Sequence, residues 1–467
     1  MTGAKSNQLL QDAADTSLNY EPENIKNEEL GYDPYSNISL GEGRSFWHKL
    51  FGPLTTKTQR SAVISLFTSA LGVAVFSYPK TFSQYGYILG TIGILYSAFC
   101  TTVSYAIIAE LCGMYPNHTL YSELVQHYLG RFWSRYTSWI LIIYFFGCLI
   151  GFTIVVTTFF QEIFGLRIAN YLELDYDQSF KKQLGLLISI VLAIAYFLGS
   201  VLRRAGVIRY LGFLVVFMIF YLICVTIYQT KGYMEEVKPR YEAFGSGKIF
   251  ECVLHFGVFL FAFDSVQGFH QVYTAMAMPT VRRIKKVGLK VSLILLVPFY
   301  IFTIFAYLSF GHTMQDKSFD IFPSKRPLST DPDDVYMTIL KCVMMVSLLA
   351  SYIVNSIPLK LQMMDHFKLK ETDFNHVMLA AIISVGTGFL SFIYPEITNW
   401  MSLLGALGAN SLAVLLPSLC FYRAVSGKKE YEFTLKMVVV WAGVTTFMSM
   451  LCILATCSDM AGYHPDW

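Results

Sequence analysis

Beyond a polar opening stretch, apolar runs long enough to cross a membrane follow one another almost to the end of the chain. Eleven are distinguishable, at about 60–84, 87–112, 136–164, 184–202, 207–228, 249–278, 289–310, 335–358, 374–394, 397–422 and 433–457. Each has the length a helix needs to traverse roughly 30 Å of hydrocarbon. Two of them are interrupted. The first, from Arg60 to Gly86, carries Gly72, Ala74 and Pro79. The sixth carries Asp264 between Phe263 and Ser265, with Gln267, Gly268 and His270 just beyond. A lipid-exposed helix has to satisfy its own backbone, so interrupted spans must face protein or a water-filled cavity. The two stand at the heads of two similar halves, and interruptions paired in this way point to a solute site near the middle of the membrane.

The polar segments set the orientation. Residues 1–58 are rich in Asn, Glu, Asp, Ser and Gly with few adjacent apolar residues, which predicts a disordered tail. No apolar core follows Met1, so a cleaved signal peptide is not expected. Tyr35-Ser-Asn-Ile38 fits a tyrosine-based sorting pattern, a four-residue match that arises readily by chance. With the tail in the cytosol, the inward connections collect the basic residues. They hold Arg131 and Arg135, then Arg203, Arg204 and Arg209, then Arg282, Arg283, Lys285, Lys286 and Lys290. Lys360, Lys368 and Lys370, and then Arg423, Lys428, Lys429 and Lys436, follow in the later ones. Acids dilute the opposite loops, among them Glu173, Asp175, Glu235 and Asp333. Both glycosylation sequons, at Asn37 and Asn117, fall on the cytosolic side and are expected to go unused. Between the second and third spans, Leu124, Tyr128 and Phe132 share one helical face, as in a short helix lying along the interface. Glu110 and Glu162 lie near span ends, from which they can reach the interface.

Composition narrows the class further. The chain is 54% hydrophobic and only 14% charged, which excludes a soluble enzyme of this length. The nine cysteines fall mostly inside apolar runs and include no CxxC pair, so neither a disulfide framework nor a zinc site is indicated. There is no HExxH, P-loop, GxSxG elbow or dinucleotide fingerprint, which leaves no enzyme class supported. No cofactor and no nucleic-acid partner is expected; the partners implied are the lipid bilayer and a small solute.

Chemistry concentrates at the two interruptions. If the first helix opens near residues 69–73, its free N–H groups and the N-terminus of the following half-helix suit a carboxylate. Thr68 and Ser69 add hydroxyls beside Gly72 and Val73. A proline-kinked span packed against small residues accounts for the same sequence equally well. Asp264 tips the balance, because an ionisable residue at mid-membrane is costly unless it faces protein or water. It can bind a cation, exchange a proton or recognise substrate; alternatively it is a structural acid hydrogen-bonded to neighbouring helices. Ser265 lies beside it, and Phe261 and Phe263 can wall off an apolar substrate side chain. His255 and His270 are weaker candidates, since a lone His is often a satisfied packing residue. Gly147 to Gly151 forms a GxxxG pattern, which by default means close helix packing. Asn355, three residues before Pro358, serves a cap or a neighbouring helix as readily as a ligand.

Gly72-Val-Ala74, Pro79, Phe82 and Gly86 stand in the register of the opening pattern of the amino acid/auxin permease family, which this chain resembles. Tyr121-Ser-Glu-Leu with Gly130-Arg-Phe, Phe261-Ala-Phe with Tyr273-Thr, and Met401-Ser-Leu-Leu-Gly405-Ala-Leu-Gly408 with Leu416-Pro417 extend the resemblance. It covers about Leu66 to Arg423. The resemblance implies an all-α polytopic membrane protein with a LeuT-like 5+5 inverted repeat, helices one and six broken, plus an eleventh transmembrane helix. The organisation that follows is a cytosolic tail at 1–58, a transporter domain at 59–457, and a short non-cytosolic tail at 458–467. Within the domain, repeat one is 59–228, repeat two is 249–422 and the extra helix is 433–457.

The function implied is secondary active transport of amino acids, small neutral ones in this branch, by alternating access around a site between spans one, three, six and eight. The substrate-binding residues expected are Thr68, Ser69, Gly72, Val73, Phe261, Phe263, Asp264 and Ser265. The coupling ion, a proton or sodium, is expected at Thr68, Asp264 and Ser351. Sodium-coupled members tend to carry Asn at the position of Thr68, a departure that weighs against sodium, and a cation-binding Thr at that of Ser351, which retains a hydroxyl. A sodium ion, if used, would sit at Thr68 and Ser351. A proton-coupled branch carries Glu at the position of Asp264, which inclines the balance to protons. The alternative is an amino-acid sensor that signals through a cytosolic partner of the tail. Plasma membrane and vacuole or lysosome are both open, with the C-terminus extracellular or lumenal.

Overall fold

The computed structural model describes residues 59–70, 74–115, 120–173, 178–201, 208–245, 249–276, 280–311, 335–370 and 372–462. The expected tail at 1–58, Gly72, Val73, both sequons and the last residues of the chain lie outside them. Regular structure among the described residues is helical throughout. Helices α1 (Gln59–Ala70) and α2 (Ala74–Met114) occupy the first two expected spans. At 41 residues, α2 would be about 60 Å long, twice the hydrocarbon thickness. It is divided at Gly86, where φ is 75° and ψ is 168°. The segment after the fifth span presses on this corner. A Cβ on Gly86 would lie 2.4 Å from the Gly245 amide nitrogen, and Tyr87 and Ile88 donate backbone bonds of 3.1 Å to Glu242 and Ala243. The expectation that Pro79 disrupts the first span beyond it is corrected here. The helix runs through Pro79, the sixth residue of α2, where a proline forfeits one backbone hydrogen bond in an early turn.

The short α3 (Tyr121–Leu129) stops at Gly130 (φ 91°), and α4 (Arg131–Tyr171) begins at once. Phe132 therefore belongs to α4 and is exposed, whereas Leu124 is buried. Helix α3 is tied to the bundle: Tyr121 donates to the Leu412 carbonyl at 2.9 Å and Tyr128 to that of Leu111 at 3.3 Å. Next come α5 (Gln178–Val201), α6 (Ile208–Val237), α7 (Ile249–Leu254), α8 (Phe256–Ala262), α9 (Val266–Ala275), α10 (Val281–Phe310), α11 (Val335–His366) and α12 (Asp373–Ile393). The tenth span comprises α13 (Ile397–Leu404), a π-helical stretch (Gly405–Leu415) and α14 (Leu416–Val425). A 3₁₀ turn, Lys429–Tyr431, leads to α15 (Glu432–Met460). Eight of the described helices are long and apolar enough to cross a membrane, and Phe217–Gly232 and Ile249–Ala262 are shorter apolar segments. The chain is a multi-pass integral membrane protein.

Packing joins the two halves of the sequence. Helix α10 runs along α2 and α6, α11 along α4 and α6, and α12 along α5 and α4, while α8 packs on the π-helical stretch, α13 and α2. Contact between α8 and the tenth span is backbone to backbone. A Cβ on Gly405 would lie 1.8 Å from the Gly257 carbonyl oxygen, and one on Gly257 would lie 1.9 Å from that of Ser402. Gly147 packs against Leu404, as its GxxxG spacing led one to expect.

The two acids near span ends, Glu110 and Glu162, are ion-paired across helices. Glu110 of α2 pairs with Lys285 of α10, and Glu162 of α4 pairs with Lys341 of α11. The Lys341 side chain is 1% exposed and Glu162 26%, and the Lys341 ammonium also stands 5.5 Å over the ring of Phe159. A lysine at that depth needs a counter-charge, which holds Glu162 inward. Lys360, counted above among the inward-facing basic residues, is also buried. It donates to the Ser200 carbonyl at 2.5 Å and lies 3.1 Å from His376 Nε2.

Candidate substrate site at the break in the sixth span

The sixth span is cut twice. The first cut, at His255 (φ −102°, ψ 7°), separates α7 from α8. It frees the Leu254 carbonyl, which takes Ser402 Oγ, Cys452 Sγ at 3.3 Å and Thr456 Oγ1 at 3.5 Å. The second cut is the one the sequence predicts. Helix α8 ends at Ala262 with Phe263 as its C-cap, Ser265 (φ −136°, ψ 16°) leaves helical geometry, and α9 starts at Val266.

Every backbone group named at this second cut finds a partner, as burial requires. Asp264 N–H donates to Phe261 O at 3.1 Å, and Gly268 N–H to Ser265 O at 3.1 Å. Thr101 Oγ1 of α2 donates to Phe263 O at 3.2 Å. The Asp264 carboxylate accepts from Val266 N–H at 3.1 Å, so it caps the start of α9. The Tyr144 hydroxyl from α4 also reaches that carboxylate. Ser265 Oγ is hydrogen-bonded to the Tyr105 hydroxyl of α2, whose ring stacks on Phe269 at 4.7 Å. Asp264 is 3% exposed and Ser265 fully buried.

Aromatic rings close the surroundings. Phe261 packs against Tyr144 with centroids 5.5 Å apart, and Phe263 meets Phe299 edge-on at 5.5 Å. The π-helical stretch fits round this cluster, since a Cβ on Gly408 would lie 2.5 Å from Tyr144 Cδ2. π-helical segments are usually single turns and recur at functional sites; this one is 11 residues long.

The structure thus brings Phe261, Phe263, Asp264 and Ser265 together. Thr68 and Ser69 lie in the last turn of α1 by their backbone, and their side chains, like those of Gln267 and His270, are outside the described groups. Gly72 and Val73 are not described. Ser351 is half-buried on α11, and its carbonyl accepts the Asn355 side-chain amide at 2.9 Å. Sequence reasoning missed Thr101, Tyr105 and Tyr144. Ordinary polar residues inside apolar runs carry no signal until the break is known to need donors. Among the described residues no group of three or more His, Cys, Asp and Glu could hold a metal ion.

The break brings together one carboxylate, hydroxyls and aromatic walls. The family model described as transmembrane amino acid transporter protein matches residues 55–460, and the chain belongs to that family. It is thus a membrane transporter by family, not an enzyme. A Plasmodium berghei (strain Anka) protein named as a candidate amino acid transporter is 23% identical over 308 residues, or 64% of this chain. The match spans about half of that relative, 47% of its length. Two solved mutants of the Eremococcus coleocola manganese transporter are similar in structure. A histidine-to-alanine mutant shares 14% identity with a TM-score of 0.56, over 91% of each chain. A glutamate-to-glutamine mutant shares 15% with a TM-score of 0.57, over 92% of this chain and 91% of the other. At such identity the likeness shows the fold alone, an all-α polytopic fold of the LeuT-like kind.

Proposed function

We propose that this protein moves small neutral amino acids across a membrane by alternating access, coupled to a proton or sodium gradient. The observation that carries the reading is the Asp264 carboxylate, buried at a helix break among Tyr144, Phe261 and Ser265. One carboxylate beside aromatic rings suits an ammonium group and an apolar side chain. A divalent cargo such as manganese would call for a larger shell of oxygen or nitrogen ligands. In this reading Thr68, Ser69, Gly72 and Val73 take the substrate carboxylate. Phe261 and Phe263 face the substrate side chain, and Asp264 carries a coupling proton or meets the amine. Sodium, if it is the coupling ion, is held by the hydroxyls of Thr68 and Ser351. The tail lies in the cytosol, and the basic ends of α10 and α14 face the same side.

The test is uptake into proteoliposomes from a panel of amino acids, with proton and sodium gradients imposed separately. One gradient should drive accumulation, and a panel in which no amino acid moves overturns the reading. Asp264→Asn should cut coupled uptake about tenfold to a hundredfold, the cost of one charge-assisted hydrogen bond. An unchanged rate and pH dependence would reduce Asp264 to the helix cap it already forms.

A further inference from the structure

Where α2 ends and α10 begins, an open groove of about 560 Å³ is lined by Glu110, Val281, Arg282, Lys285, Lys286 and Leu289. Lys285 is taken by Glu110. Arg282 and Lys286 are exposed and make no ion pair among the described residues. Below them α10 turns one face outward: Leu289, Leu293, Ile294 and Val297 are 48%, 51%, 44% and 57% exposed. The opposite positions, Val287, Val291 and Leu295, are buried. Spacings of three and four residues place Lys286, Leu289, Leu293 and Val297 in one line down the helix. Cations therefore crown a strip of apolar side chains more than two turns long, and the strip leads from the headgroup level into the hydrocarbon.

That combination has the chemistry of a phospholipid with an anionic head. A soluble anion would use the cations and leave the strip idle. The acidic tail of this chain would likewise find charge but no use for Leu293 and Val297. We propose that the groove binds an anionic phospholipid of the cytosolic leaflet, with its phosphate oxygens on Arg282 and Lys286 and an acyl chain along Leu289, Leu293 and Val297. The leaflet rests on the orientation proposed above; the site itself does not. Basic residues at a membrane face attract anionic lipid at a useful strength each, and a pocket adds geometry to that attraction.

Native mass spectrometry of the purified full-length protein in detergent tests this without reference to transport or orientation. Phosphatidylinositol bisphosphate, phosphatidylserine and phosphatidylcholine are titrated separately, with soluble inositol trisphosphate as the headgroup alone. The two anionic lipids should form a saturable adduct that phosphatidylcholine does not. Arg282→Gln with Lys286→Gln should weaken it about thirtyfold. Leu293→Asn should weaken the lipid adduct and leave any headgroup adduct unchanged. Equal lipid occupancy in wild type and the double variant, with both eluting as folded monodisperse protein, overturns the proposal. So does binding of inositol trisphosphate as tight as that of the intact lipid, which would mark a site for a free anion. An adduct seen only after deletion of residues 1–55 would assign the groove to the tail and overturn it equally.

Discussion

Glu162→Gln should lower the stability of the folded protein by about 3 kcal/mol, the low end of the cost of breaking a buried ion pair. The low end applies because Glu162 is a quarter exposed, whereas Lys341 is almost wholly enclosed. The loss comes from the lysine side: the ammonium stays inside the bundle, still near Phe159, without the Glu162 charge opposite it. Reversing the charges one at a time would not reveal this, but removing both should. Glu162→Gln with Lys341→Met is expected to recover much of the lost stability, since well-packed apolar replacements of buried pairs are often neutral or better. Thermal unfolding in detergent, followed by size-exclusion chromatography, measures all three proteins. A single variant that melts with the wild type would mean that the pair joins α4 to α11 only nominally.

The second large effect is steric. Gly405→Ala should destabilise the protein by about 3 kcal/mol, the upper range for forcing atoms into a packed interior. The added methyl would stand 1.8 Å from the Gly257 carbonyl oxygen, and a backbone atom cannot rotate away as the end of a side chain can. Helix α8 and the start of the π-helical stretch would have to part, and the candidate site lies at the far end of α8. Gly443→Ala is the matched control, because nothing lies within 4 Å of a Cβ there. It should be neutral or stabilise by about 0.5–1 kcal/mol through helix propensity. Similar melting of the two alanine variants would show that α8 tolerates displacement, contrary to this account.

The spans were legible because each is an apolar run of fixed minimum length, and the second break of the sixth span was legible because Asp264 interrupts such a run. What could not be read depends on partners remote in the chain. Glu162 and Lys341 are 179 residues apart, and Glu110 and Lys285 are 175 apart. No local pattern pairs them, so both acids read as residues able to reach the interface. The cut at His255 has neither glycine nor proline at its centre. It is tolerated because Ser402, Cys452 and Thr456, all from the last two spans, satisfy the carbonyl it frees. Pro79 erred in the other direction: its effect depends on how near the helix start it falls, and a hydrophobicity pattern does not fix that point. At the candidate site, Asp264 and its aromatic neighbours were visible as an anomaly, while Tyr144 and Tyr105 are unremarkable in an apolar run and gain meaning only from what they touch.

The triple-capped Leu254 carbonyl also has a mechanical meaning. With Gly257 set against Gly405 and its amide on Cys452, it rivets the segment before the break to the tenth and eleventh spans. The segment after the break adds a different anchor: α9 packs on α1 as well as on α2, and Tyr273 donates to the Cys112 carbonyl at 3.1 Å. The two ends of one span thus share α2 and the π-helical stretch but differ in their other anchors, and Phe263, Asp264 and Ser265 are the short joint between them. A shift of α1 relative to the last two spans would have to be taken up at the residues that hold the carboxylate.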